Sequence, residues 1–166
     1  MVKTKMIFAA IAVVLTGILS YYWFFQGDSA KIRNRFKTMA ELASKSPDEH
    51  ELAAAINARR IGDMFADACR VEIPSHDISR RYSKTDIPAH IMGARSRYPE
   101  ISLRFHDLQI SFPEPGASRV VLTAYLETAD VSGGYGREVH EVVCRLEKIE
   151  KDWFFTEIEV IPVLFK

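Results

Sequence analysis

The feature that most constrains this fold is the alternation of apolar and polar residues over residues 101–165. Three turn signals, at residues 113–116, 132–136 and 150–152, interrupt the alternation and predict four strands joined as hairpins. Successive side chains of a strand point to opposite faces, so each predicted strand has one apolar and one charged face. We therefore expect an antiparallel sheet that helices cover on one side.

The first of these strands changes its apolar parity near Asp107. Leu103 and Phe105 share one parity, whereas Leu108 has the other. One extra residue in a strand changes the parity, so the sequence predicts a β-bulge at Asp107 and a bent sheet. In the later strands the predicted inward residues are Val120, Leu122, Ala124 and Leu126, then His140, Val142, Cys144 and Leu146, then Phe154, Thr156, Ile158 and Val160.

The chain before residue 99 predicts three helices and one short strand. The first helix has an apolar face of Ile32, Phe36 and Met39 at helical spacing. The second should begin in Ser46-Pro47-Asp48-Glu49, which combines an N-cap serine, an N1 proline and a glutamate three residues after the cap. Its expected apolar face contains Leu52, Ala55 and Ile56. A short strand is expected at residues 70–73 and the third helix at residues 85–98.

A segment without charge, from Met6 to Phe25, precedes these elements. As a helix it would be about 30 Å long, the thickness of a bilayer's hydrocarbon core. It is too long for the core of a cleaved signal peptide, and it ends in an aromatic cluster, Tyr21–Phe25, that suits the membrane interface. We therefore predict a membrane anchor and short polar linker in residues 1–28 and a folded domain in residues 29–166.

Basic residues flank this segment on both sides. Lys3 and Lys5 favour a cytoplasmic N-terminus, and the charge count alone does not decide the orientation. Because a short N-terminal anchor most often exports the domain attached to it, we expect a single-pass protein whose domain lies outside the cytoplasm. The basic residues that argue for the opposite orientation are Lys31, Arg33, Arg35 and Lys37.

Charge and cysteine usage exclude several classes of function. The 22 basic and 22 acidic side chains balance, so the chain has no general attraction for nucleic acid. Cys69 and Cys144 have neither the number nor the spacing of a disulfide framework or a zinc site, and we expect both to be unpaired. The histidines form no metal-ligand spacing and no phosphate-binding loop is present. We predict neither a metal nor a cofactor.

Three helices and a strongly curved hairpin sheet resemble the nuclear-transport-factor-2-like (SnoaL-like) superfamily, which has a cone-shaped α+β fold. The resemblance covers residues 30–166. Phe65–Ile73 is similar to the superfamily's passage from helix to first strand, and Lys148–Phe155 to its last hairpin, although the superfamily often has glycine where Lys151 stands. The superfamily contains dehydratases, isomerases and epoxide hydrolases and also inert transport and scaffold proteins, so the resemblance implies a fold and not one function.

His140 is the only titratable side chain in the apolar parities of the last three strands, where the pocket of a cone would lie. It can serve as a general acid or base, or be a buried neutral histidine bonded to a neighbour such as Thr156. Asp107 can face His140 and raise its basicity, or simply satisfy irregular backbone at the bulge. Tyr82 and Tyr98 can close the pocket with hydroxyls or pack at the ends of their elements.

Two hypotheses of different kinds are consistent with these residues. The first is a membrane-anchored, non-catalytic binding or assembly module of the cell envelope, with a partner protein or a small apolar ligand in the cone. The second is an anchored dehydratase or isomerase that uses His140, with Asp107, for proton transfer. Enzymes of this fold generally place at least two inward acidic or basic groups in the cavity, and here only His140 is secure, which favours the first hypothesis.

The opposite face of the sheet mixes apolar and charged residues, which suits a modest symmetric interface. Arg145 of one copy would meet Glu157 or Glu159 of the other, and Tyr125 belongs to the same patch. We therefore predict a homodimer, in addition to contact with the lipid bilayer through residues 6–25.

Overall fold

A computed structural model describes residues 27–74, 77–130 and 132–162. Within these ranges the fold is α+β, with three helices packed on one curved sheet. No helix among the described residues has the length and apolar character needed to cross a bilayer, and the predicted anchor, residues 6–25, lies outside them. The elements are α1 (residues 27–43), α2 (Glu51–Gly62), β1 (Phe65–Ile73), β2 (Ile78–Ser83), α3 (Ile87–Arg95), β3 (Glu100–Glu114), β4 (Ala117–Ala129), β5 (Tyr135–Ile149) and β6 (Asp152–Pro162).

The described sheet has six strands in the order β2-β1-β6-β5-β4-β3. The four predicted strands β3 to β6 form consecutive antiparallel hairpins, as expected. Strand β1 is longer than predicted and runs parallel to β6, and β2 is an additional edge strand that pairs with β1 alone. The sequence of β2, Ile78–Ser83, has no apolar alternation and three of its six residues are exposed, so its pairing depends on β1.

Irregular pairing interrupts the ladder between β3 and β4. The predicted bulge is confirmed: the β3–β4 register shifts between His106 and Gln109, and Asp107 has a left-handed φ of 56°. Carboxamide and carboxylate side chains tolerate that conformation better than most others. The bulge lets residues on either side of it point inward, so Phe105, Leu108 and Ile110 all pack against the core.

A second irregularity, in β6, corrects the predicted inward face of that strand. The β5–β6 register shifts between Arg145 and Leu146, and the Thr156 hydroxyl donates to the Arg145 carbonyl at 3.2 Å. Trp153 and Phe155 are therefore buried, whereas strict alternation predicts Phe154 inside. Beyond the shift Ile158 and Val160 pack against the core as predicted. Simple alternation cannot locate such a shift because it assumes an unbroken strand.

Helix α1 packs lengthwise on the inner face of the sheet, with the predicted residues inside. The Phe36 ring lies edge-on to Phe105 and Phe155, at centroid distances of 5.5 and 5.1 Å. The predicted linker residues Gly27 and Asp28 belong to this helix. Asp28 is buried, and its carboxylate accepts hydrogen bonds from Lys148 Nζ at 2.9 Å and Trp153 Nε1 at 3.2 Å, which fix the start of α1 to the β5–β6 hairpin.

Helix α2 begins later than predicted and buries the opposite face. It starts at Glu51, because Ser46–Glu49 forms a turn and the Glu49 carboxylate pairs with Arg95 instead of capping α2. Its buried residues are Ala54, Ala58, Ile61 and Gly62, whereas Leu52 and Ile56 are 74% and 51% exposed. A methyl group at Gly62 would lie 2.9 Å from Pro88 Cγ, so small residues on this face allow the close approach to α3.

Helix α3, Ile87–Arg95, is shorter than the predicted 85–98. Its C-terminal end is joined to that of α1 because a side chain near each end donates to the last carbonyls of the other helix. Arg95 Nη1 donates to the carbonyls of Leu42, Ala43 and Ser44 at 2.8, 2.7 and 3.2 Å. Lys45 Nζ donates in return to the carbonyls of Arg95 and Tyr98 at 3.0 and 2.7 Å. We call this set of hydrogen bonds, with the Arg95–Glu49 ion pair, the α1–α3 clasp.

The observed burial of α2 can be tested by replacing each of its two isoleucines with alanine. Ile61→Ala should lower the free energy of unfolding by about 2–5 kcal/mol, because it removes buried methylene groups and leaves a void. Ile56→Ala should change it by no more than about 0.5 kcal/mol, because that side chain is half exposed. Urea unfolding of the full-length variants followed by circular dichroism measures both. The reverse ranking would show that α2 packs through its predicted face.

Candidate functional site

The inner end of the cone holds a cavity of about 330 Å³ between α1, α3 and the sheet. It lies directly beside the α1–α3 clasp, since Ala43 and Arg95 belong to both. Apolar side chains form nearly all of its wall. The lining residues are Met39, Ala43, Ile61, Phe65, Ile91, Ala94, Arg95, Tyr98, Ile101, Leu103, Leu126 and Thr128.

Three residues of this lining carry polar side-chain atoms: Arg95, Tyr98 and Thr128. Arg95 is 3% exposed, and its charge is balanced by Glu49, with which Nη2 forms an ion pair. Nη1 is used by the carbonyls at the end of α1. Nε has no hydrogen-bond partner among the described residues, although it is buried. Among the residues described, the cavity wall therefore contains a paired guanidinium and two residues with hydroxyl groups but no carboxylate or imidazole.

Arg95 is the site residue that the sequence analysis missed. It continues the spacing of Ile87 and Ile91 by one further helical turn, so it stands on the apolar face of α3. A charged residue at an apolar position indicates a buried ion pair or a ligand contact. The sequence carries this signal, but the partner residue Glu49 has the local pattern of a cap for α2, which conceals the pair.

His140 lies on the inner face of β5, as predicted, but outside the described cavity lining. Its side chain is 33% exposed, and Nε2 lies 3.0 Å from Oε2 of Glu138. Glu138 is directly opposite Leu126, which does line the cavity. The His140–Glu138 pair thus lies next to the cavity wall, on the strand beside Leu126.

The other predicted site residues do not converge on His140. Asp107 is exposed at the bulge of β3, and β4 lies between β3 and β5. Thr156 bonds the Arg145 carbonyl, and His140 is opposite Pro162, six residues further along β6. Of the two tyrosines, Tyr98 lines the cavity, whereas the ring of Tyr82 packs against that of His90 at a centroid distance of 4.8 Å.

The buried thiols lie on the inner side of the sheet and are free, as predicted. Cys69 is on β1 and Cys144 on β5, with β6 between them. Burial raises the pKa of Cys69 to about 12 and also raises the pKa of Cys144. Both are therefore protonated thiols near neutral pH, which makes them poor nucleophiles.

Two open grooves adjoin the cavity, since one shares the lining residue Leu103 with it and the other shares Thr128. One, of about 600 Å³, runs between α1 and β3 and is bordered by Arg33, Lys37 and Arg104. The other, of about 470 Å³, lies at the end of β3–β5, where Glu127 forms ion pairs with Arg104 and Arg137. Among the described residues no three histidine, cysteine or acidic side chains are grouped closely enough to hold a metal ion.

The outer face of the sheet carries the residues of the predicted dimer interface. The ring of Tyr125 lies edge-on to His106 at a centroid distance of 4.9 Å. Arg145 Nε is 3.3 Å from Glu157 Oε2 within the same chain, so an interface through these residues would have to share this pair with the second copy. Glu159 is opposite Val143 in the β5–β6 register.

Comparison with known proteins identifies the fold. No protein-family model and no curated protein sequence matches the chain. Among solved structures, an NTF2-like protein with a cystatin-like fold from Novosphingobium aromaticivorans superposes with a TM-score of 0.70 at 12% identity, covering 89% of this chain and 90% of that one. The hexachlorocyclohexane dehydrochlorinase LinA-type3 from Novosphingobium barchaimii has a TM-score of 0.65 at 10% identity, covering 85% and 90%.

These superpositions show the nuclear-transport-factor-2-like cone, which the sequence resemblance predicted. At identities of 10–12% they establish the fold alone. The fold hosts unrelated functions, so function has to be argued from the cavity itself.

Proposed function

We propose that this protein is a binding module that holds a small, largely apolar molecule in the cone cavity. The observation that carries the proposal is the cavity wall: mainly apolar residues line about 330 Å³, and the lining residues with polar side chains are Arg95, Tyr98 and Thr128. A largely apolar pocket with a few polar groups is the usual form of a small-molecule site. Histidine and carboxylates are the most frequent general acids and bases, and the described wall contains neither; its titratable side chains are Arg95 and Tyr98.

A second candidate is proton transfer by His140, in a dehydration, elimination or isomerisation. The observation in its favour is the His140–Glu138 pair, because a carboxylate that accepts from one imidazole nitrogen orients the ring. The name of one structural neighbour, a dehydrochlorinase, is in keeping with such chemistry. The pair flanks the cavity wall and does not line it, so we rank this candidate second.

The same proposal includes a membrane anchor in residues 6–25, a domain outside the cytoplasm and a partner in the cell envelope. They rest on the charge-free segment of the sequence. Asp28 ties the start of α1 to Lys148 and Trp153, so the domain would begin within a few residues of the bilayer. We also propose a homodimer through the outer face of the sheet, because the surface around Tyr125 mixes apolar and charged side chains.

Ligand binding is tested by closing the cavity at its edge. Ala94 lines the cavity but is exposed, so Ala94→Phe should fill the entrance without displacing the core. We expect the full-length chain to bind a neutral fused-ring aromatic compound such as 2-acetylnaphthalene, and Ala94→Phe to weaken binding at least about tenfold. Arg97→Phe, an exposed change three residues away, is the matched control.

Equilibrium dialysis of both variants in the same detergent measures this binding and subtracts partition into micelles. Equal binding by the wild-type chain and Ala94→Phe would contradict the proposed site.

The anchor is tested by extraction of cell membranes. The wild-type chain should stay in the membrane pellet after washes with high salt and with alkaline carbonate, because burial of apolar residues in lipid is not screened by salt. The double variant Val13→Arg and Leu15→Arg should be released, since charge at the bilayer centre is costly. Release of the wild-type chain by either wash would show that residues 6–25 do not span the membrane.

The dimer is tested at its centre. The full-length chain in detergent should sediment as a dimer at about 100 μM, well above a micromolar dissociation constant. Tyr125→Glu should give a folded monomer, because it places charge in the middle of the patch, whereas Arg80→Glu on the exposed face of β2 should leave the dimer intact. A monomeric wild-type chain would exclude this use of the outer face.

A further inference from the structure

The open groove between α1 and β3 follows the edge of the sheet. Among the described strands β3 has a neighbour on one side only, and five consecutive residues of it, 102–106, line the groove. Consecutive side chains of a strand point to opposite faces, so a groove that all five residues line runs beside the strand and not over one face. The bulge at Asp107 ends this regular stretch, which is about 17 Å long at about 3.4 Å for each residue.

We propose that this edge binds an extended segment of a partner protein in which apolar and acidic residues alternate. The segment would add a seventh strand to the described sheet, in the space between β3 and α1. Addition of a strand to an exposed edge is a common form of peptide recognition, in which main-chain hydrogen bonds supply affinity and alternate side chains supply specificity. The inference goes beyond ligand binding in the cavity and does not depend on it.

The backbone of β3 already pairs along this edge at one end of the groove. Ile101 and Lys45 exchange two backbone hydrogen bonds, at 2.7 and 3.0 Å, and the Leu103 amide donates to Ser44 Oγ at 3.0 Å. Ser44 is itself a lining residue of the groove. Alternate residues of a strand direct their N–H and C=O to the same edge, so Phe105 directs its own to this side as well. Within the described ranges those two groups have no hydrogen-bond partner there, and an added strand would supply both.

The inner side of β3 is covered less completely than that of the next strands. Inward residues of β4 and β5 such as Leu122 and Leu146 are buried, whereas Leu103, Phe105 and Leu108 of β3 are partly exposed and line the groove. Apolar side chains at every second position of an added strand would lie beside these three and remove their surface from water. The uncovered apolar surface therefore accounts for the apolar half of the proposed pattern.

The charged residues of the groove account for the acidic half. Its described lining contains three permanent cations, Arg33, Lys37 and Arg104, and one carboxylate, Glu41. Lys37 Nζ lies 3.9 Å from Glu41 Oε1 and Arg104 Nη2 lies 2.7 Å from Glu127 Oε2, whereas Arg33 has no ion pair among the described residues. Acidic side chains complement this surface. A second copy paired through the same edge would bring like cations together, which is unfavourable.

The test uses the full-length chain in a neutral detergent and a fluorescent synthetic peptide. Its core is Glu-Ile-Glu-Ile-Glu, with glycine at each end. One control peptide has lysine in place of each glutamate, and a second has the same composition in the order Ile-Ile-Glu-Glu-Glu. We expect the alternating acidic peptide to bind at least about tenfold more tightly than either control, measured by fluorescence anisotropy.

Two variants of the chain locate the peptide. Ala40 lines the groove on α1, so Ala40→Phe should fill it and abolish binding, whereas Ala55→Phe on the exposed face of α2 is the matched control and should bind normally. Arg33→Glu should weaken binding of the acidic peptide about two- to fivefold and strengthen binding of the lysine peptide by a similar factor. Circular dichroism checks that each variant is folded.

Two further measurements distinguish strand addition from binding by side chains alone. One isomer of the acidic peptide is N-methylated at both isoleucines and the other at two glutamates. An added strand pairs through alternate residues, so one isomer should bind like the parent and the other at least about tenfold more weakly. In the chain labelled with ¹⁵N-phenylalanine, the Phe105 amide, assigned by Phe105→Leu, should exchange with solvent at least about tenfold more slowly when the peptide is bound.

Several outcomes would overturn the inference. Equal losses by the two N-methylated isomers, or an unchanged exchange rate at Phe105, would exclude strand addition. Equal binding of the acidic and lysine peptides would exclude the acidic partner, and normal binding by Ala40→Phe would exclude the groove. Protection of Phe105 that rises with protein concentration in the absence of peptide would identify a second copy as the occupant. Failure of the acidic peptide to bind at about 1 mM would also overturn the inference. Binding of 2-acetylnaphthalene in the cavity is tested separately by Ala94→Phe and is unaffected by these results.

Discussion

The α1–α3 clasp is the interaction on which the rest of the cone depends. The last carbonyls of a helix have no partner within the helix, and at the end of α1 they lie against the domain interior, where water cannot serve them all. Arg95 donates to three of these carbonyls, and Glu49 balances the charge that this requires. Lys45 caps α3 in return and joins β3 through backbone hydrogen bonds with Ile101, at 2.7 and 3.0 Å. One cluster therefore sets the positions of two helices and an edge strand.

The cavity follows from this arrangement together with the curvature of the sheet. The bulge at Asp107 and the register shift near Thr156 bend the long strands, so the sheet wraps around α1 instead of lying flat beneath it. The far end of α1 is held by Asp28, through Lys148 and Trp153, and there the core is closed by Phe36 and Phe155. At the clasp end an apolar space lies between α1, α3 and the sheet. The two ends of α1 therefore differ, with a filled core towards Asp28 and a cavity beside the clasp.

This geometry also accounts for the chemical character of the site. The buried charge in the wall is committed to structure through most of its hydrogen bonds, and the described thiols are protonated near neutral pH. His140 and Glu138 lie beyond Leu126, at the rim. The fold hosts unrelated functions, so the character of the site depends on which side chains line the cone.

The sequence by itself determined the features that depend on residues close together in the chain. These are the hairpin strands β3 to β6, the inward residues of β4 and β5, the buried face of α1 and the bulge at Asp107. Only the tertiary structure decided the face of α2, the phase of β6, strand β2 and the partners of His140. The burial of Ala58 in place of Ile56 depends on the close approach of Gly62 to Pro88. Glu49 reads locally as a helix cap, and its actual role requires Arg95, 46 positions away. Contacts over such separations produce no periodic pattern of apolar residues in a single sequence, since they arise from packing between elements and not within them.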